Sequence, residues 1–273
     1  SAAYGAVIAA KEAIQESGIE GTLRFYGCPA EETLVGKVFM AREGVFDDLD
    51  AAVTWHPGFI NTVWGGKAGT TTAMAMNSFK VQYHGRSAHA AANPQQGRSA
   101  LKAIQLLDIG VQYMREHISG DVRVHSVITN GGGAPNVVPP FAEAWYYIRA
   151  PKREIVEQIY AWVQDIIKGA ALMTNTTYDI DFLTGSHELL GNNTIHLNML
   201  ENMKRVGEIN FSDEDVEFAK QLSGTIPAPM LQAVKKGMEA SFDPALSWDY
   251  IGEYLNPTVV TPNWDARDTL AGS

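Results

Sequence analysis

Cys28-Pro29-Ala30-Glu31-Glu32 follows directly on an apolar strand-like run, and Ala51-Ala52-Val53-Thr54-Trp55 runs in the same way into His56. Between them, residues 33–43 read as a helix that Gly44 closes. The spacing predicts a strand–helix–strand unit of a parallel sheet. In such a unit Glu31, Glu32 and His56 reach one edge, where open α/β sheets bind ligands beyond the carboxyl ends of their strands. Carboxylate oxygens with an imidazole nitrogen suit a divalent ion such as zinc or manganese. One acid of the pair would face the metal and the other an attacking water, as a general base. The residues alone leave open which does which. Acids also collect in first helical turns, where the helix dipole favours them. A histidine after a strand is more often packed than ligating, but Pro57-Gly58 makes a tight turn that would expose this ring. The segment reads first as part of a metal-dependent hydrolase.

Composition sets the outer limits. A chain of 273 residues, 45 % hydrophobic and 19 % charged, is ordinary globular material with room for one large or two modest domains. A formal charge of −10 argues against a nucleic-acid partner or an anionic membrane. It leaves room for an anionic small molecule held by a local arginine. No apolar run approaches the roughly 20 residues that span a bilayer. A single cysteine, Cys28, excludes an intrachain disulfide framework and points to a reducing, cytoplasmic setting. The chain enters a helical pattern at residue 3 and stops without closing an element, so the expectation is a fragment of a longer protein.

Three regions follow. Residues 1–74 alternate helix and strand, the pattern of a parallel sheet, and Gly65-Gly66-Lys67-Ala68-Gly69 is a hinge candidate. From 75 to 185 the predicted order is strand 76–84, helix 97–117, strands 122–129 and 141–148, helix 154–171 and strand 177–183. That βαββαβ order is a ferredoxin-like module. The first helix carries Leu101, Ile104, Leu107, Val111 and Met114 at helical spacing, and the second Ile155, Ile159, Trp162 and Ile166. Residues 186–273 return to helical character over 197–206 and 213–222, with an acidic helix start at Ser212-Asp213-Glu214. Residues 223–273 hold several prolines and little periodicity, and no element is assigned there.

Three further positions carry chemistry. His89 lies among small residues in Gly85-Arg86-Ser87-Ala88-His89-Ala90-Ala91, where it could donate to a developing oxyanion or simply sit in a polar turn. Asn130-Gly131-Gly132-Gly133-Ala134-Pro135-Asn136 is longer than a tight hairpin needs, and its glycines allow close backbone approach to a ligand. Arg149 ends the following strand and could clamp a carboxylate bidentately or be a surface charge. In a simple hairpin it would stand about a strand length from the glycine loop, so the two need not share a site within one subunit. His84, His117, His125, His187 and His196 show no ligand spacing and read as structural or surface residues.

Taken together, Pro29-Ala30-Glu31-Glu32, Trp55-His56-Pro57, the 85–91 segment, Gly132-Gly133-Ala134-Pro135-Asn136-Val137-Val138-Pro139 and Ile148-Arg149 resemble the M20 metallopeptidase family. The match is nearest its amidohydrolase branch, of the aminobenzoyl-glutamate utilisation B type. The resemblance implies a parallel-sheet α/β catalytic domain, here partial (1–74 and 186–273), interrupted by a ferredoxin-like lid and dimerisation domain (75–185). It implies an enzyme whose substrate is a small N-acyl or aminobenzoyl amino acid, cleaved at its amide bond with two divalent metal ions, zinc or manganese. Glu31 would be the general base, and Glu32 and His56 metal ligands. His89 would reach from the lid into a partner subunit's site, and Asn136 and Arg149 would recognise the substrate carboxylate. A homodimer through the lid, or assembly with a second subunit, is expected. The family's metal motif upstream of the first helix and its final histidine ligand are not present in this chain. The expectation is therefore that these 273 residues alone are inactive and short of metal. The alternative is an inactive scaffold that keeps only the dimerisation fold.

Overall fold

Ten residues, Ala75–His84, form the central strand β1 of a four-stranded antiparallel sheet, and their burial decides the architecture around them. The computed structural model describes residues 2–33, 35–58, 60–63, 73–239 and Val259. The chain divides into two compact units, Ser1–Phe59 and Ile60–Ser273. The first holds helices α1 (Ala2–Ser17) and α2 (Gly36–Arg42).

In the second unit the elements after β1 are α3 (Ala100–Met114), β2 (Arg123–Asn130), β3 (Phe141–Ala150), α4 (Arg153–Thr174) and β4 (Thr177–Ser186). The expected βαββαβ order is present. The sheet runs β2-β3-β1-β4, with β1 antiparallel to both β3 and β4. Both helices pack on one face, over Phe79, Val81, Tyr83, Ala144, Tyr146 and Ile148. Helix α3 buries Ala103, Ile104, Leu107, Val111 and Met114, close to the expected stripe. Helix α4 differs. Its buried stripe is Val156, Ile159, Val163, Ile167 and Ala170, about one position round from the expected face, and Trp162 stays 40 % exposed. The smaller side chains let the helix lie close to the sheet, so that the buried Tyr83 hydroxyl donates to the Ile167 carbonyl at 2.9 Å. Ile166 instead fills the space over Gly110 of α3, where an added Cβ would stand 2.5 Å from it. Helix α4 ends at Asn175 in the left-handed conformation, and Thr176 N–H caps the Ala171 carbonyl at 3.0 Å.

The other face of the sheet is polar. Glu143 accepts from Thr129 (2.7 Å), Gln82 (2.7 Å) and Lys80 (3.1 Å), and the Thr129 and Gln82 bonds lead in holding its carboxyl below the usual range. Strand β2 is an edge strand, exposed from His125 to Asn130.

Three helices follow: α5 (Asn193–Val206), α6 (Asp213–Ser223) and α7 (Ala228–Glu239). The acidic start of α6 is a capping box, with Ser212 and Asp215 each accepting from the other's backbone N–H. Helix α7 falls where the sequence pattern assigns no element. Residues 240–273 apart from Val259, and the proposed hinge at 65–69, lie outside the described residues.

The first unit corrects the expected parallel sheet. Helix α1 is closed by Gly18 at φ +66°, and α2 ends near Gly44 at φ +74°. Residues 19–29 and 51–58 form no strand, and Phe25, Val53 and Trp55 are more than half exposed. Parallel strands take their hydrogen bonds from lateral neighbours and their burial from layers on both faces. Among the described residues of this unit only Gly36 is buried, so those conditions are not met. The fold described is mixed α/β with an antiparallel sheet.

Candidate active site

Glu31 and Glu32 project from an exposed turn over 31–33 rather than from a strand end. The turn is tight. Ala30 lies at φ +51°, a region non-glycine residues seldom occupy, and its carbonyl accepts from Thr33 Oγ1 (3.1 Å) and Val35 N–H (3.3 Å). A Cβ at Gly36 would stand 1.8 Å from the Pro29 carbonyl oxygen, so glycine is required where the helix folds back on the loop. His56 is exposed, with Nδ1 2.8 Å from the Pro57 carbonyl. A carbonyl only accepts, so Nδ1 carries a proton in this bond. Metal-binding histidines are commonly oriented through such a backbone bond.

The donor types fit zinc or manganese, but the number does not. Among the described residues no group of three or more histidine, cysteine or acidic side chains could hold a metal ion. A catalytic zinc normally takes three protein ligands. The described residues therefore do not make up a metal centre.

In the second unit the 85–93 and 131–140 loops are zipped together at one end of the sheet. Ala90 N–H donates to the Asn136 carbonyl (2.9 Å), Val138 N–H to Ala88 (2.9 Å) and Gly85 N–H to Pro140 (2.7 Å). Gly132, at φ +97°, packs against Pro139, and its N–H is held by Asn130 Oδ1 at 2.9 Å. The glycine loop is thus an ordered clamp that sets Asn136 beside the His89 loop. His89 Nδ1 accepts from Ala91 N–H (3.2 Å) and Ala92 N–H (3.1 Å). Those two bonds fix the tautomer. Nε2 carries the proton, and the exposed ring presents a neutral N–H donor.

Arg149 lies at the opposite end. Strand β3 runs away from the glycine loop, and at ~3.4 Å per residue Arg149 stands about 27 Å from Phe141. The structure therefore brings His89 and Asn136 together and keeps Arg149 apart from them. The Arg149 guanidinium lies 5.4 Å from the Tyr147 ring centre, and among the described residues its buried Nε has no hydrogen-bond partner. Directly across from it in register is Arg123, and His125 faces Tyr147. Burial, then the charges of Arg149, Arg115 and Arg123, hold the His125 ring below its ordinary value. Reading the sequence alone misses this basic cluster. The i, i+2 spacing of Arg123 and His125 on a strand is its one visible signal.

Residues 73–174 match the peptidase dimerisation domain of the M20 type. The chain is 44 % identical over 227 residues to the B-type subunit of p-aminobenzoyl-glutamate hydrolase from Escherichia coli K12, covering 83 % of this chain and 46 % of that protein. It is 33 % identical over 192 residues to the Xaa-Arg dipeptidase of Mus musculus, covering 69 % of this chain and 42 % of that one. Among solved structures it resembles an aminobenzoyl-glutamate utilization protein from Klebsiella pneumoniae, with 25 % identity and a TM-score of 0.50 over 61 % of this chain and 42 % of that one. The chain spans less than half the length of these relatives. No helix among the described residues is long and apolar enough to cross a membrane. The centre of this chain is thus a peptidase dimerisation domain of the M20 type, set within a chain that is similar to hydrolases over less than half of their length.

Proposed function

We propose that the protein of which this chain is part is a cytoplasmic amidohydrolase. It cleaves the amide bond between an acyl or aminobenzoyl group and an amino acid, and it works as a dimer through the 75–185 module. Residues 1–74 and 186–273 contribute to its catalytic domain. The observation that carries this reading is the pinned His89 ring, whose Nδ1 is taken by two backbone amides. A neutral Nε2–H aimed outward from a fixed ring suits stabilisation of the oxyanion that forms when water adds to an amide carbonyl. Glu31 takes the proton of that water and passes it to the leaving amine. Asn136 and Arg149 hold the substrate carboxylate. Glu32 and His56 are the proposed ligands to one of two divalent ions, zinc or manganese, whose remaining ligands are not among the described residues.

His89 and Arg149 stand at opposite ends of one sheet, so a small substrate touched by both must be touched by two copies of the module. Strand β2, an exposed edge, is the proposed route by which copies meet, and a second subunit type could take the same place. The rival reading is a non-catalytic dimerisation scaffold. It draws on the lack of a three-donor metal group among the described residues.

Catalysis in trans has a direct test. Glu31→Gln and His89→Ala variants of the whole protein are each expected to be inactive. Co-expressed with different tags, they should recover about a quarter of wild-type activity, since half the dimers are mixed and each mixed dimer has one intact site. Mixed dimers that form and show no recovery would rule the arrangement out.

A further inference from the structure

Arg123 and Arg149 are direct cross-strand partners at the open end of the β2–β3 hairpin. Like charges set directly opposite on a sheet destabilise it. Among the described residues neither arginine, nor Arg115 beside them, forms an ion pair with an acid. Arg123 uses Nη1 on the backbone carbonyls of Gly120 and Val122, and Arg115 donates to the Val124 carbonyl. The buried Arg149 Nε finds no partner among the described residues. Buried donors of this kind are rare and call for an explanation. His125, on the same face two residues from Arg123, is held below its ordinary value by partial desolvation and by these same cations. The chain as a whole carries −10, which makes three guanidiniums without an ion-paired acid a local inversion of its charge.

We propose that Arg123 is a specificity-determining residue. With Arg149 it forms a two-guanidinium cradle for an amino acid bearing two carboxylates, an acidic residue such as glutamate or aspartate. Arg149 takes one carboxylate and Arg123 the other, each by charge-assisted N–H···O bonds. The proposal rests on the amidohydrolase reading for its substrate, but the cradle can be tested without turnover.

The binding test follows the His125 ring by NMR while the 273-residue chain is titrated with glutarate, and separately with butyrate. Glutarate should bind at least tenfold more tightly and raise the pH at which the ring titrates, because it neutralises the neighbouring cations. Arg123→Gln should abolish the difference between the two acids and leave butyrate binding unchanged. Arg123→Lys should restore part of it. Equal binding of glutarate and butyrate, or an Arg123→Gln variant that still prefers glutarate, overturns the proposal. The kinetic test compares N-acyl-glutamate with N-acyl-glutamine in the whole protein. Wild type should favour glutamate at least tenfold in kcat/KM, and Arg123→Gln should erase that preference. Hydrolysis with no such preference sinks the cradle. A complete lack of hydrolysis with glutarate discrimination intact sinks the amidohydrolase reading instead.

Discussion

Glu31→Gln is expected to lower amide hydrolysis by the whole protein about 10²–10⁴-fold, through kcat, with KM nearly unchanged. Glutamine keeps the shape of the side chain and the 31–33 turn but cannot take a proton from water. The turn itself gives the acid its position. Ala30 is held at φ +51°, its carbonyl bonds Thr33 and Val35, and Gly36 folds the helix against Pro29. The exposure of Glu31 and Glu32 means that the loss cannot be charged to a collapsed core. Steady-state kinetics with an N-acyl amino acid measures the effect. A kcat within tenfold of wild type would remove Glu31 from the role of base and move the search to Glu32.

The second large effect is on stability. Phe79 is fully buried on the central strand β1 and meets Tyr146 in a stacked pair at 5.8 Å and Tyr160 edge-on at 4.9 Å. It therefore joins the sheet to helix α4 at the middle of the core. Phe79→Ala is expected to destabilise the module by about 3–5 kcal/mol, from lost burial and from the cavity left behind. Phe79→Leu should cost clearly less. Urea unfolding followed by circular dichroism gives both values. An alanine variant within about 1 kcal/mol of wild type would mean that the core is not organised around this residue.

The elements legible in the sequence are those whose pattern is set locally. The strand at 76–84 and the 3.6-residue stripe of α3 both appear in the structure, because each element packs against one core. Helix α4 has the expected span but not the expected face. Ile155, Trp162 and Ile166 are the bulkier stripe, yet the sheet accepts the smaller Val156, Val163 and Ala170, and periodicity alone cannot choose between adjacent stripes. Pro227 and Pro229 hide helix α7, because they read as breaks. Pro229 sits in the first turn, where the missing N–H costs nothing, and the Pro227 carbonyl accepts from Met230 and Leu231. The apolar runs before Glu31 and His56 read as parallel strands, a state that depends on neighbours the local sequence cannot specify.

The candidate site divides along the same line. The ordered clamp around Asn136 is visible in its glycines and prolines, and the segregation of Arg149 in the length of its strand. The tautomer of His89 is not visible, since it follows from two backbone amides further along the same loop. Nor is the pairing of Arg123 with Arg149, which needs the register between two strands joined by a long connection.

The central claim is amide hydrolysis at a site that uses divalent metal. Its most direct measurement is release of glutamate from N-(4-aminobenzoyl)glutamate by the whole protein, before and after removal of metal with a chelator. The expected result is turnover that the chelator abolishes and added zinc or manganese restores, with none from the 273-residue chain alone. A whole protein that binds zinc or manganese yet releases no glutamate would contradict the amidohydrolase reading and leave the dimerisation scaffold in its place.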